Sequence, residues 1–156
     1  MADRTGDPLV VRKTIRATPE RLFKAWTTPA QLQQWWGPAG VTCVDPTVDL
    51  RVGGRYRIGN RLPEGTVLWI GGAFEVIDAP RRLTYTWQLE GGTGAVERVT
   101  VRFEPRGAAT SVVVTHERIA DRALRDQHEQ GWRGCLDGLV AYVAHSGAEP
   151  GLSARG

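Results

Sequence analysis

The chain has 156 residues, 41% hydrophobic and 24% charged, enough for one globular domain with a real core. Its net charge of +3 is carried almost wholly by arginine, Lys13 and Lys24 being the sole lysines, and no basic run or stripe points to nucleic acid. No apolar stretch approaches membrane-spanning length and no apolar leader segment is visible, so no membrane insertion is expected and the cytoplasm is the expected compartment.

In chain order, residues 1–8 read as a tail and Leu9 to Ile15 alternates as a strand. Thr18-Pro19-Glu20 then starts a helix, with Thr as N-cap, Pro at the first helical position and an acid in the first turn. Leu22, Phe23 and Trp26 form its apolar stripe. Thr28-Pro29-Ala30-Gln31 reads as a capping box that starts a second short helix, with Leu32, Trp35 and Trp36 on its apolar side and Gly37-Pro38 at its end.

From Val41 the texture changes to strands broken by turn signals: Val41–Leu50, Arg55–Gly59, Thr66–Ile77, Arg82–Leu89, Val96–Glu104 and Thr110–Arg118. The short connections imply an antiparallel meander. A helix beginning between Asp121 and Asp126 and running to about Val143 follows, with Leu124, His128, Trp132, Leu136, Leu139 and Val143 on one face. Residues 146–156 read as a second tail, leaving one domain over 9–144. The fold class is α+β: a curved antiparallel sheet of about seven strands holding a long C-terminal helix, with two short helices after the first strand.

Strand parity assigns the inward side chains. Leu83, Tyr85 and Trp87 share one face, Val99, Val101 and Phe103 another, and Thr110, Val112, Val114 and His116 a third. Tyr56 and Ile58 are expected inside, with Arg55 and Arg57 solvated. A pocket walled by Trp36, Tyr56, Trp69, Trp87, Val101, Val114 and Trp132 follows, with His116 and His128 as its polar anchors. The Trp69 strand is expected to be bulged at Gly71-Gly72. The plainer alternative for each histidine is a core imidazole bonded to a neighbouring backbone group. Gly131, Gly134 and Gly138 each cost helix stability, which suggests close approach or space kept open; for Gly131, beside Trp132, packing is the expected cause.

Little else carries chemistry. Glu75, Glu97 and Glu117 are strand acids without a visible partner, so a two-carboxylate mechanism has no support. Gly91-Gly92-Thr93-Gly94 lacks the lysine and helix of a phosphate cradle and reads as a hairpin loop. Cys43 and Cys135 are far apart and read as free thiols. With no ligand spacing among cysteines and histidines, no metal, nucleotide or other cofactor is expected, and no catalytic residue is assigned.

Five blocks carry a family resemblance: Ala17 to Trp26 with Leu32-Gln33-Gln34-Trp35-Trp36-Gly37-Pro38, Asp49 to Tyr56, Pro80 to Trp87, Val114-Thr115-His116-Glu117, and His128-Glu129-Gln130-Gly131-Trp132. In order and spacing the chain resembles the homologues of the activator of heat-shock-protein-90 ATPase, within the START-like, birch-pollen-allergen-like superfamily of helix-grip domains. That resemblance implies a helix-grip fold and, across the superfamily, carriers of lipids and other small hydrophobic molecules, cyclases, and a co-chaperone role. The expected function is binding of a small, largely hydrophobic molecule, aromatic or lipid-like, between sheet and C-terminal helix. A cyclase- or hydrolase-type enzyme using an inward histidine as general base, and a co-chaperone-like interaction domain, are the alternatives. A homodimer and a chaperone contact stay open, with no residue pointing to either.

Overall fold

A computed structural model describes residues 8–38, 40–92 and 96–146. The expected tails fall outside these residues except for Pro8 and Ser146, as do Thr93 and Gly94 of the glycine-rich loop. The elements in order are β1 (Leu9–Ile15), α1 (Pro19–Thr27), α2 (Pro29–Trp35), β2 (Thr42–Val48), β3 (Arg55–Arg61), β4 (Val67–Asp78), β5 (Arg82–Leu89), β6 (Glu97–Arg106), β7 (Ala109–Glu117) and α3 (Arg122–Ser146). Among the described residues these strands form one antiparallel sheet in the order β1-β7-β6-β5-β4-β3-β2. It is a meander from β2 to β7, with β1 added beyond β7.

Local chemistry explains the bracket formed by the two short helices. Thr18 caps α1 as expected, its hydroxyl accepting the Arg21 N–H at 3.1 Å. Thr28 makes no side-chain cap on α2, so the expected capping box does not form. Its backbone serves both helices instead: its N–H closes α1 on the Lys24 carbonyl, and its carbonyl accepts from Gln31 and Leu32. The Gln31 side chain is drawn elsewhere, its Oε1 accepting from Arg21 Nη1 and the Tyr142 hydroxyl, each at 3.2 Å. That last bond ties α2 to the C-terminal helix.

The concave face of the sheet supplies the core. Val99, Val101, Val112 and Val114 are fully buried, and Leu136 and Leu139 of α3 are equally so. Burying such side chains stabilises the fold by roughly 1.5–3 kcal/mol each. An aromatic cluster closes the core beneath the bracket: Trp26 stacks on Trp132 with centroids 6.0 Å apart, and Trp35 and Trp36 pack edge-on at 5.6 Å. Helix α3 reaches α2 because Gly138 lies against it; a Cβ there would stand 2.6 Å from the Trp35 carbonyl oxygen.

Two expectations about β4 need correction. The strand is continuous through Gly71-Gly72, and the register shift against β5 lies between Phe74 and Val76. Near that point the Ala73 N–H bonds the Thr86 hydroxyl at 2.9 Å. Parity along β4 puts Ile70 and Phe74 inside, which sends Trp69 to the outer face. There the Arg57 guanidinium sits 3.8 Å above the Trp69 ring while bonding Glu90 through two nitrogens. Trp69 therefore walls no interior pocket.

Candidate functional site

The interior space lies in two parts. Deep between bracket and sheet is a void of about 20 Å³, bordered by Trp26, Tyr56, Phe74, Leu83 and Tyr85 among others. That is room for roughly one water, which needs about 10–15 Å³. The polar tips beside it are already used: the Tyr56 hydroxyl donates to the Thr86 carbonyl at 2.6 Å, and the Tyr85 oxygen accepts the Trp26 indole N–H at 3.3 Å. The second space is a cleft of about 160 Å³, lined by Trp36, Ile70, Trp87, Trp132 and both histidines, with Asn60, Gln127 and Gly131 at its margin.

The candidate residues separate accordingly. Trp36, Trp87, His116, His128 and Trp132 meet at the cleft, and Tyr56 borders the deep void together with Trp36 and Trp87. Val101 and Val114 are buried under the helix without lining either space. Gly131 faces opening and not packing, since a Cβ added there meets no atom within 4 Å.

Behind the two histidines of the cleft lies a group that the sequence reading missed. Glu97, directly across from Trp87 in the β5–β6 register, is only 6% exposed. Its Oε1 accepts from His116 Nε2 at 2.6 Å and from His128 Nε2 at 2.9 Å. The two imidazoles stack with centroids 4.3 Å apart, and Trp87 meets His128 edge-on at 4.9 Å. Trp132 completes the arrangement from the far side, its indole N–H donating to His116 Nδ1 at 3.0 Å. Glu97 was legible, because it shares the parity of Val99, Val101 and Phe103; the apolar set was followed inward and stopped one step short.

The bonding dictates protonation. An indole nitrogen is a donor only, so His116 Nδ1 must be a lone pair and Nε2 must carry the hydrogen given to Glu97. Burial pushes the His116 imidazole below its ordinary value and the neighbouring His128 adds to this, against the opposing pull of Glu97. Burial pushes the Glu97 carboxyl up, but the bonds from His116 and His128 outweigh it and hold the group down at about 2. Glu97 is thus a carboxylate that accepts two imidazole N–H bonds on one oxygen. His128 Nε2 must then also carry hydrogen, which leaves its Nδ1.

Glu97, His116 and His128 offer ligand atoms within 4.8 Å of one another, a set of the two-histidine, one-carboxylate kind. The absence of ligand spacing in sequence was therefore no guide, since three separate elements bring these atoms together. The Trp132 indole behind His116 nevertheless disfavours a metal. A histidine bound through Nε2 turns its Nδ1–H toward an acceptor. Here that position faces the Trp132 N–H at 3.0 Å, donor against donor. Cys135, which also lines the cleft, and Cys43 are buried and free, and burial pushes their thiols up to about 12 and about 11. No helix of the described residues is long and apolar enough to cross a membrane.

A curled antiparallel sheet closed by a long C-terminal helix, with an aromatic cleft between them, defines a START-type helix-grip domain. Residues 16–144 match the family described as Activator of Hsp90 ATPase homolog 1-like protein, and the chain belongs to that family. The AHSA1 protein of Silicibacter pomeroyi has a similar structure at 26% identity and a TM-score of 0.80, over 89% of this chain and 99% of that one. A Chromobacterium violaceum protein is similar in fold at 24% identity and a TM-score of 0.81, over 88% and 96% of the two chains. The AHSA1-like protein of Aeromonas hydrophila shares the fold at 24% identity and 0.74, over 94% and 99%. No curated protein matches the chain.

Proposed function

We propose that this protein binds a small, largely apolar molecule in the cleft between the sheet and α3. The observation that carries the reading is the cleft itself: about 160 Å³ of space walled by Trp36, Ile70, Trp87 and Trp132, with His116, His128, Asn60 and Gln127 as its polar side chains. Aromatic walls with a few fixed polar atoms are the usual composition of a small-molecule site. The volume suits a one- or two-ring molecule, not a long acyl chain, and the deep void adds room for little more than a water. Gly131 keeps the opening clear where any larger side chain would enter it.

Titrating the protein with a neutral two-ring probe such as 2-naphthol, followed by tryptophan fluorescence, tests this. Saturable quenching that is lost in Gly131→Leu supports the reading; quenching unchanged in that variant contradicts it.

One observation favours a second reading. Glu97 orients His128 through Nε2 as a carboxylate orients a catalytic imidazole, which suits a cyclase- or hydrolase-type general base. Turnover lost in a His128→Ala variant that still binds ligand would separate enzyme from carrier.

A further inference from the structure

Resting on the binding reading above, we infer that the ligand is a neutral molecule carrying a hydroxyl, of the phenol or aromatic-alcohol class, whose O–H donates to His128 Nδ1. Most polar atoms at the cleft are already engaged. Both nitrogens of His116 are engaged, one by Glu97 and one by Trp132, so that ring offers a ligand no hydrogen bond. His128 gives Nε2–H to Glu97. Among the described residues its Nδ1 bonds no protein group, yet Arg82 Nε alone among their fully buried side-chain polar atoms lacks a partner. His128 Nδ1 therefore reaches accessible space, and in the neutral ring it is a lone pair. What it presents is an acceptor.

Charge narrows the class further. The ionisable groups around His128 and the cleft are Glu97 from β6, His116 from β7 and, on its own helix, the Cys135 thiol, which burial pushes up; that helix also contributes uncharged Gln127 and Trp132, and β3 and β5 contribute Asn60 and Trp87. Among the described residues no arginine or lysine lines the cleft, so nothing there neutralises a carboxylate, sulfonate or phosphate. The Glu97 charge behind His128 opposes such groups as well. Asn60 spends its Oδ1 on the Trp36 indole N–H at 3.0 Å, leaving its amide N–H as a donor. A hydroxyl, unlike an ether or a carboxylate, matches a cleft that offers both an acceptor and a donor.

The test is a matched series near pH 8: 2-naphthol, 2-methoxynaphthalene and 2-naphthoate, titrated against the wild type and against His128→Phe. The wild type should prefer naphthol over its methyl ether by about 10-fold, the worth of one hydrogen bond, and should bind the carboxylate weakest. In His128→Phe, checked as folded by circular dichroism, the preference for naphthol over its ether should disappear. Equal wild-type affinity for naphthol and ether, or tightest binding of naphthoate, overturns this inference while leaving the binding site standing. Failure of all three to bind overturns both. The wild-type comparison decides by itself even where the variant does not fold.

Discussion

Trp132 of the C-terminal helix donates its indole N–H to Nδ1 of His116 at 3.0 Å, and this one bond sets the protonation of the whole buried network. Because the indole cannot accept, His116 is held as its Nε2–H form, and that hydrogen goes to Glu97. The helix face that seals the core thus also decides which atoms of the cleft remain available.

Replacing Trp132 with Phe keeps an aromatic ring but strands His116 Nδ1 without a donor in a fully buried place. A loss of about 1–3 kcal/mol is expected from the unmet acceptor, read as a lower denaturant midpoint. Nitrogen NMR should report His116 protonated at Nε2 in the wild type and still so in Trp132→Phe, where Glu97 keeps its hydrogen bond, with the Nδ1 signal shifted by loss of the indole donor. Zinc should leave the wild-type melting temperature unchanged and raise that of the variant, whose Nδ1–H no longer meets a donor. Zinc stabilisation of the wild type would contradict the tautomer assignment.

Acid stability follows from the same network. His116 has its folded value lowered, so the unfolded chain binds more protons as pH falls below about 6.5, and stability declines from there. Glu97 is held at about 2, so its contribution is present above the ordinary 4.5 and is lost as pH falls toward about 2. Stability should be flat from neutral to about pH 6.5 and then decrease in two overlapping steps. In Glu97→Gln the step below pH 4.5 should disappear and the neutral-pH stability should drop by about 2–3 kcal/mol, as a charged acceptor of two bonds is removed. A wild type that gains stability between pH 6 and 4 would refute this assignment.

The two helix glycines 131 and 138 should respond oppositely to alanine. Gly138→Ala places a methyl 2.6 Å from the Trp35 carbonyl oxygen, a backbone atom that must shift, at a cost of about 1–3 kcal/mol. Gly131→Ala meets nothing within 4 Å and gains about 1 kcal/mol of helix propensity. Thermal melts of the two variants check both signs.

Buried Cys43 and Cys135, raised to about 11 and about 12, should resist thiol reagents in the native state near pH 8 and react on denaturation. Fast native labelling of Cys135 would show the cleft wall to be looser than described.

Most of the architecture was legible because it rests on periodicity. The α3 face from Leu124 to Val143 is an amphipathic pattern with one solution, whereas β7 buries Ser111 and Val113 as well as the set from Thr110 to His116. Trp69 was misplaced because its strand carries two glycines, which conceal the parity that Ile70 and Phe74 would otherwise declare. Thr28-Pro29-Ala30-Gln31 has the letters of a capping box, yet Tyr142, more than a hundred residues on, competes for Gln31. The Glu97, His116 and His128 cluster draws on β6, β7 and α3, so no local spacing announces it. The division of the interior into a small void and a larger cleft depends on how Trp26, Trp36 and Trp132 tilt against one another, which no sequence pattern encodes.

The central claim, that the cleft beside His128 is the binding site, is tested most directly by a nitrogen–proton NMR titration with 2-naphthol. Saturable shifts of the Trp36 and Trp132 indole N–H signals and the Gly131 amide are expected, all abolished in Gly131→Leu. Shifts centred on Trp69 of the outer face, with the Trp36, Gly131 and Trp132 signals unmoved, would contradict it.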